Sequence, residues 1–488
     1  MAFKDFREWL DRLEAEGELK RIQAKVDWEG EIAEIMLETL RQRGPALLFE
    51  NVRGHENTLC KKLFCGGIAR RGRIALMLGL PKDTPREEIT RVTRDRLKKP
   101  LKPVTVSTGP VKENIVTGQD IDLFQFPAPK WHHLDGGRYI NTFCAVVTRD
   151  PETGTLNAGL YRGMISDRDK IGILLVPYQH WGIHFEKYQR MGKPMPVAVV
   201  YGCDDTLVCA AALPHPHPGF DEYWVSGGLR QEPLELVKCE TSDLEVPASA
   251  EIVVEGTISG DPATFKMEGP FGEWRGFYGE AKMRPVIKVD CITYRNDPIL
   301  RGTLNGLPVG VVGEPNMIGT FAHNALLWNI LESQSIPGVL DVVSGPWTII
   351  RIHKTERGLA RRIAAALWGS PMGFYFHEIV VVVEEDVDIH NFREVQWAIL
   401  NCVDPQRDLV VFPGTGGDPL NPSQLAEDKD ELKYGAGKIN RLLIDATIDW
   451  DTHPKRKEWG NERFPPRCTR VPPEIQELVK RRWSEYGL

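Results

Sequence analysis

The texture of the chain changes twice, and this constrains its fold more than any single motif. From about residue 120 to residue 325, short β-rich runs separated by turns dominate: NTFCAVVTRD, GILLVPY, PVAVVYG, EIVVEGTIS and RPVIKVDCITY. Runs of that length and spacing build a largely antiparallel barrel or split barrel. On both flanks, helical periodicity alternates with strands instead. Phe6, Trp9, Leu10 and Leu13 recur at i, i+3, i+4 and i+7 with Gly17 as the stop, and a second helix carrying Ile32, Ile35, Met36 and Leu40 precedes the strand ALLFE. Beyond the middle region, ALLWNILESQ, GVLDVVSG, RGLARRIAAALWG, EIVVVVEED and NFREVQWAILN alternate in the same manner. At 488 residues the chain exceeds what one core organises, so several domains are expected. The expected class is α/β, in an α+β multidomain arrangement. It comprises an N-terminal α/β domain over 1–110, a central split β-barrel over 111–325, a C-terminal α/β domain over 326–450 and a tail with a terminal helix over 451–488.

Smaller signals refine this plan. Thr84-Pro85-Arg86-Glu87 offers an N-cap, a proline at the first helical position and a capping glutamate, predicting a helix to about Arg96. The proline-spaced KKPLKPV at 98–104 reads as a linker. The face of the final helix, PPEIQELVKRRWSEYG, suits either another subunit or its own chain.

Several function classes are disfavoured. A formal net charge of −7 argues against nucleic acid as a partner. No run of about 18 apolar residues predicts a membrane span, and the amphipathic N-terminus lacks a signal peptide's apolar centre, so a cytoplasmic location is expected. Nine scattered cysteines without a CxxC pair point to buried free thiols. There is no GxGxxG after a strand, Walker loop, GxSxG or HExxH.

The unusual polar residues sit in the β-rich middle. In MEGPFGEWRGFYG, Glu268 and Glu273 flank Gly-Pro-Phe-Gly. A spacing of five separates them in a helix or a strand, and only a kinked loop aims both into one cavity. The bland alternative is two solvated glutamates around a turn. TLNAGLYRGMISD carries Asn157 and Arg162, VPYQHWGIHFEKY carries His180, and QEPLELVKCETSD carries Glu235 and Lys238. An amide oxygen, an imidazole and a carboxylate suit Mg²⁺ or Mn²⁺, although each residue also has an ordinary turn, strand-end or surface reading. In LPHPHPGFD, His215 and His217 point the same way if extended, which could chelate a metal, but a structural or substrate-facing loop is the stronger reading.

Together these stretches resemble the UbiD family of decarboxylases, which use prenylated FMN. The resemblance runs collinearly from FREWLDRLEAEGELKRI through NAGLYRGM, PYQHWGIH, LELVKCETSDLEVPASAEIVVEG and EGPFGEWRGFYG to DVDIHNFREVQWAI and GKINRLLIDAT. It implies a flavin-binding split barrel and reversible, non-oxidative decarboxylation of an aromatic, heteroaromatic or α,β-unsaturated carboxylic acid, including aromatic acyl thioesters, through a covalent adduct with the cofactor. Carried over by position, Arg162, Glu268 and Glu273 are the catalytic set, and Asn157, His180 and Glu235 are the ligands of the divalent metal, Mn²⁺ or Mg²⁺. Cofactor contacts fall to Asn157, Arg162, His180, Glu235 and Lys238, with Lys354 a looser candidate for the phosphate. The resemblance also implies a K⁺ site, a flavin prenyltransferase that supplies the cofactor, CO₂ as co-product and a homo-oligomer. AAALPHP at 210–216 departs from the serine-bearing turn of some relatives, at the monovalent-ion site. Two other readings remain: a flavin-binding reductase or carrier, and a noncatalytic subunit of a larger carboxylase complex.

Overall fold

The computed structural model describes residues 3–214, 219–345, 347–373, 377–425, 437–468 and 471–487. The first helix, Phe6–Ala15, is capped by Asp5, whose carboxylate accepts the amides of Arg7 and Glu8, and it buries the four predicted apolar residues. It covers a four-stranded sheet in the order Leu19–Ile22, Ala46–Phe49, Lys62–Cys65 and Ile299–Arg301. The last strand comes from far along the chain, so the N-terminal sheet includes a strand contributed after the central region.

The helix expected after Thr84 spans Arg86–Leu97, with Pro85 in the cap position. Thr84 does not cap it. Its amide and hydroxyl both turn back to the Pro81 carbonyl, at 3.0 and 2.6 Å, and the cap makes no side-chain hydrogen bond to the helix. The KKPLKPV segment is pinned rather than free: Leu101 N donates to Trp224 O, and Val104–Thr105 runs parallel to Glu235–Lys238.

The central sheet is antiparallel and curls into a half-barrel. Its strands run in the order Tyr139–Asn141, Gly163–Asp167, Lys170–Ile173, Val286–Tyr294, Ile252–Ile258, Met195–Tyr201, Ala145–Arg149 and Leu156–Gly159, with Asn114–Thr117 added to the long Val286–Tyr294 strand. Its middle strands are buried on both faces, and the period of two divides their side chains between two cores. Ala145, Val147, Ala198, Val200 and Val253 face the helices. Val146, Val197, Val199, Ile252 and Val254 fill the other side.

The C-terminal sheet, in the order Val339–Val343, Trp347–Ile352, Ile379–Glu384, Gly437–Ala446 and Leu409–Gly417, is parallel at its centre and antiparallel at both edges. The 20-residue helix Glu314–Ser333 joins it to the rest and packs against the Arg86–Leu97 helix. The final helix, Pro473–Arg481, buries no residue. All nine cysteines are free thiols, seven of them buried. Among the described residues no helix is long and apolar enough to cross a membrane.

Candidate active site

The Gly-Pro-Phe-Gly turn brings its two glutamates to one arginine. Lys266–Glu268 pairs with Lys282–Arg284, and Phe271–Gly272 pairs with Tyr278–Gly279, so the chain changes direction between two small ladders. Gly269 makes the change at φ 94°, a conformation costly for other residues, and its following peptide to Pro270 is cis. Gly136 lies so close that a Cβ there would come within 2.0 Å of the Gly269 carbonyl. Gly136 N then donates to Pro270 O at 2.8 Å, and Gly272 N donates to Asp135 Oδ1 at 2.9 Å. The turn is thus held from behind by the 132–136 segment, where Asp135 also accepts the His132 amide.

Arg162 enters from the end of the barrel, just before Gly163–Asp167. Its Nε and Nη2 form a bidentate fork on Glu268, at 3.0 and 2.8 Å. Glu268 is fully buried, accepts the Tyr139 hydroxyl at 2.9 Å, and has the Arg284 guanidinium at 3.3 Å. Glu273 approaches from the other side and accepts a short hydrogen bond from Arg162 Nη1. The guanidinium carbon stands 5.5 Å from the centre of the Phe271 ring, which in turn lies 4.2 Å from the Tyr139 ring. Burial works against the Arg162 charge, but Glu273 and Glu268 outweigh it and the guanidinium stays protonated. Burial raises the Glu273 carboxyl above its usual range; Arg162 opposes this, and the Glu268 and Asp418 carboxylates reinforce it. Burial, then the charge of Glu268, keeps the Tyr139 hydroxyl protonated. Glu268 is therefore held by Arg162 and Tyr139 together, while Glu273 has one described side-chain hydrogen bond and burial favours its protonated form.

A second polar group centres on the Leu156–Gly159 strand, against which the helices His180–Arg190 and Glu222–Arg230 both pack. Asn157 is buried there and donates through Nδ2 to the Tyr161 hydroxyl at 3.3 Å. The Tyr161 ring stacks on Trp181, with centroids 4.1 Å apart. His180 is the first residue of its helix. The buried carboxylate at this strand is Glu222, which accepts the Ala158 amide at 3.2 Å.

Glu222, and not Glu235, is the glutamate that the fold places at the strand carrying Asn157. Glu235 is exposed at the start of a surface strand, and its backbone pairs with Val104. The stretch DEYWVSGGLRQEPLELVKCE holds both glutamates. The cue that favours Glu222 is the preceding Asp221, which caps the helix by accepting the Tyr223 and Trp224 amides and so puts Glu222 in its first turn. Lys238 is likewise exposed, 3.6 Å from Asp243. Lys354 belongs to the C-terminal domain, where it donates to Thr447 Oγ1 and Ile448 O, at 2.9 and 2.6 Å, and so ties down the chain leaving the last strand. Tyr139, Asp135 and Arg284 are site residues without a local sequence signature. His215 and His217 lie outside the described residues.

Comparison with known proteins finds matches along the whole chain. Residues 10–93, 102–308 and 316–446 match the N-terminal, Rift-related and C-terminal domains of 3-octaprenyl-4-hydroxybenzoate carboxy-lyase, UbiD. An uncharacterized protein of Archaeoglobus fulgidus is 33% identical over 509 aligned positions, covering 99% of each chain. Among solved structures, the closed form of Sedimentibacter hydroxybenzoicus vanillic acid decarboxylase superposes with a TM-score of 0.84 at 31% identity, covering 100% of this chain and 99% of that one. The UbiD-class enzyme HmfF from Pelotomaculum thermopropionicum, solved with FMN, superposes with a TM-score of 0.81 at 30% identity, covering 97% of this chain and 98% of that one. An evolved dimeric form of HmfF, solved with prenylated FMN, gives 0.80 at 29%, covering 97% and 98%. With three consecutive domain matches and an arginine clamped between two buried glutamates, the chain belongs to the UbiD family of carboxy-lyases.

Proposed function

We propose that the protein catalyses the reversible, non-oxidative decarboxylation of an aromatic, heteroaromatic or α,β-unsaturated carboxylic acid with prenylated FMN and a divalent cation. The observation that carries this reading is the unequal pair of glutamates on Arg162. Breaking a bond between CO₂ and an sp² carbon leaves electrons in the ring plane, and the prenylated flavin, when bound, supplies the electron sink that side chains lack.

The donor set fits such a group. Asn157 and Glu222 are both buried on or against one strand, and His180 begins a helix packed on the same strand. An amide oxygen, an imidazole and a carboxylate suit Mn²⁺ or Mg²⁺ completed by a phosphate. Asn157, His180 and Glu222 would hold the metal and, through it, the cofactor.

The protein's own chemistry follows from charge balance. Glu268 already neutralises Arg162, so a substrate carboxylate arriving at Nη1 competes with Glu273 for the remaining edge of the guanidinium. Two anions there would repel, and the arrangement is relieved when Glu273 is neutral. Substrate binding thus displaces Glu273 in its protonated form. As the carbon–carboxyl bond breaks and CO₂ leaves, Glu273 gives its proton to that carbon and is reprotonated from water. Carboxylation reverses each step. Phe277 and Tyr278 on the turn expose apolar surface beside Glu273, at 56% and 42%. An apolar rim of this kind favours an aromatic acid over a small polar one.

A homo-oligomer is part of the same reading. Ile475, Leu478 and Val479 leave the final helix with an uncovered apolar face, which another subunit would bury. A flavin prenyltransferase is the expected source of the cofactor. The deciding experiment is co-production with such an enzyme, mass and visible-absorption analysis of the released cofactor, and CO₂ release across a panel of aromatic acids. Prenylated flavin together with CO₂ release is expected. Unmodified FMN with oxidation of reduced nicotinamide and no CO₂ would replace this reading with a reductase.

A further inference from the structure

Two residues beyond Glu273, Arg275 leaves the catalytic turn and reaches the C-terminal domain. Its Nε meets Asp418 Oδ2 at 2.6 Å, its Nη2 pairs with Glu378 Oε1, and its guanidinium lies 4.6 Å from the Trp274 ring centre. The three side chains are largely buried, at 13%, 5% and 16% exposure for Arg275, Asp418 and Glu378.

Both acids are rigidly mounted. Glu378 precedes the Ile379–Glu384 strand, and its carboxylate also accepts Asn421 Nδ2 at 3.1 Å. Asp418 follows the Leu409–Gly417 strand, with its Oδ1 on the Leu420 amide at 2.9 Å and its carbonyl on Gln424 Nε2 at 2.7 Å. Arg441 also faces Glu378, but its guanidinium is committed to the His377 and Gly416 carbonyls and to Thr415 Oγ1. Among the described residues, Arg275 is the cation paired with Asp418.

The turn that carries Arg275 transmits force. Glu273 N donates to Phe277 O and Gly276 N donates to Glu273 O, each at 2.9 Å, so residues 273–277 form one hydrogen-bonded loop. A pull on Arg275 moves the Glu273 backbone with it.

We propose that Arg275 is a positioning residue: its pairs with Glu378 and Asp418 latch the catalytic turn to the C-terminal domain, so that docking of that domain sets where Glu273 stands relative to Arg162. The proposal rests on the reading of Glu273 as the proton donor. Without the latch, partly buried acids at the domain boundary lose their cation, and the turn loses its outer anchor. The charge acting on Glu273 from Asp418 is consistent with this closeness.

The test uses the full chain and two independent readouts. Hydrogen exchange of peptides covering 272–279 and 418–424 is compared with the Ile252–Ile258 strand, and decarboxylation is measured on flavin-loaded protein. Arg275→Ala is expected to speed exchange on the order of tenfold in the first two segments and leave the strand unchanged, as local opening does. Its kcat should fall on the order of 10²-fold with KM and flavin content close to wild type, the effect of a displaced reacting group. Arg275→Lys keeps a cation facing both acids and should recover both readouts in part. Wild-type exchange in Arg275→Ala, altered exchange with unchanged kcat, or Arg275→Lys no better than Arg275→Ala would each overturn the proposal. If the wild-type protein released no CO₂ from any acid, the decarboxylase reading would fail, and the exchange experiment would still decide whether the latch exists.

Discussion

Arg301 and Arg162 are both buried and each is gripped by two carboxylates, and the two clusters differ in how evenly those carboxylates are held. Arg301 is 1% exposed and joins Asp205 and Glu314, both also 1% exposed, with Glu314 further accepting the Gly66 and Ile68 amides. Every part of that cluster is held at several points, and it ties the N-terminal sheet to the helices beginning at Asp205 and Glu314. Burial opposes the charge of Glu314, but Arg301 and the backbone donors lower it, whereas burial dominates at Asp205 and raises it to about 6. At Arg162, Glu268 is similarly locked, but the Glu273 carboxylate has a single described hydrogen bond, to Nη1. The same three charges are bonded at every carboxylate around Arg301, whereas at Arg162 one carboxylate has fewer partners, and the proposed proton donor rests on that imbalance.

The sharpest way to break this contrast is Glu273→Gln. Turnover should fall by about 10²–10⁴-fold, as for loss of a general acid, while flavin content and the unfolding midpoint stay at wild-type values. Retained turnover would return Glu273 to a structural role. The reverse pattern is expected of the other cluster. Arg301→Ala should destabilise the protein by about 3–5 kcal/mol, since it leaves two buried carboxylates unpaired. A urea midpoint equal to wild type would refute the distinction.

Next in size, Glu222→Gln should weaken metal and flavin retention by about tenfold or more, the scale on which even supporting partners act in metal sites. Glu235→Gln should leave both unchanged, and metal analysis of the purified variants reads the difference directly. The smallest expected effect is a shift in the pH profile. A proton donor works only below its pKa, so kcat/KM should fall as pH rises through the elevated value of Glu273. Asp418 disfavours the Glu273 anion, and Asp418→Asn should therefore move this alkaline limb to lower pH, by about one unit or less. A limb that stays in place would remove Asp418 from the electrostatics of the site.

Local order was legible because it depends on neighbours in the chain. The period of the first helix, the apolar β-rich run at Met195–Tyr201, and the inability of a five-residue spacing to align Glu268 and Glu273 in regular structure are all properties of short segments. Collinear motifs identified the family for the same reason: NAGLYRGM and EGPFGEWRGFYG are read without knowing what they touch. The choice between Glu222 and Glu235, thirteen residues apart, was not readable this way, because it depends on which helix packs against Leu156–Gly159.

By itself, then, the sequence determined the helices and strands, the β-rich centre between two α/β flanks, and the choice of Arg162, Glu268 and Glu273 as residues that belong together. Only the tertiary structure decided that Glu268 is locked while Glu273 is loosely held, that Tyr139 and Asp135 brace the turn, and that Arg275 reaches Glu378 and Asp418 more than a hundred residues away. The physical reason is that burial and charge balance are sums over everything around a group. Those neighbours come from distant parts of the chain, and they meet only when it folds.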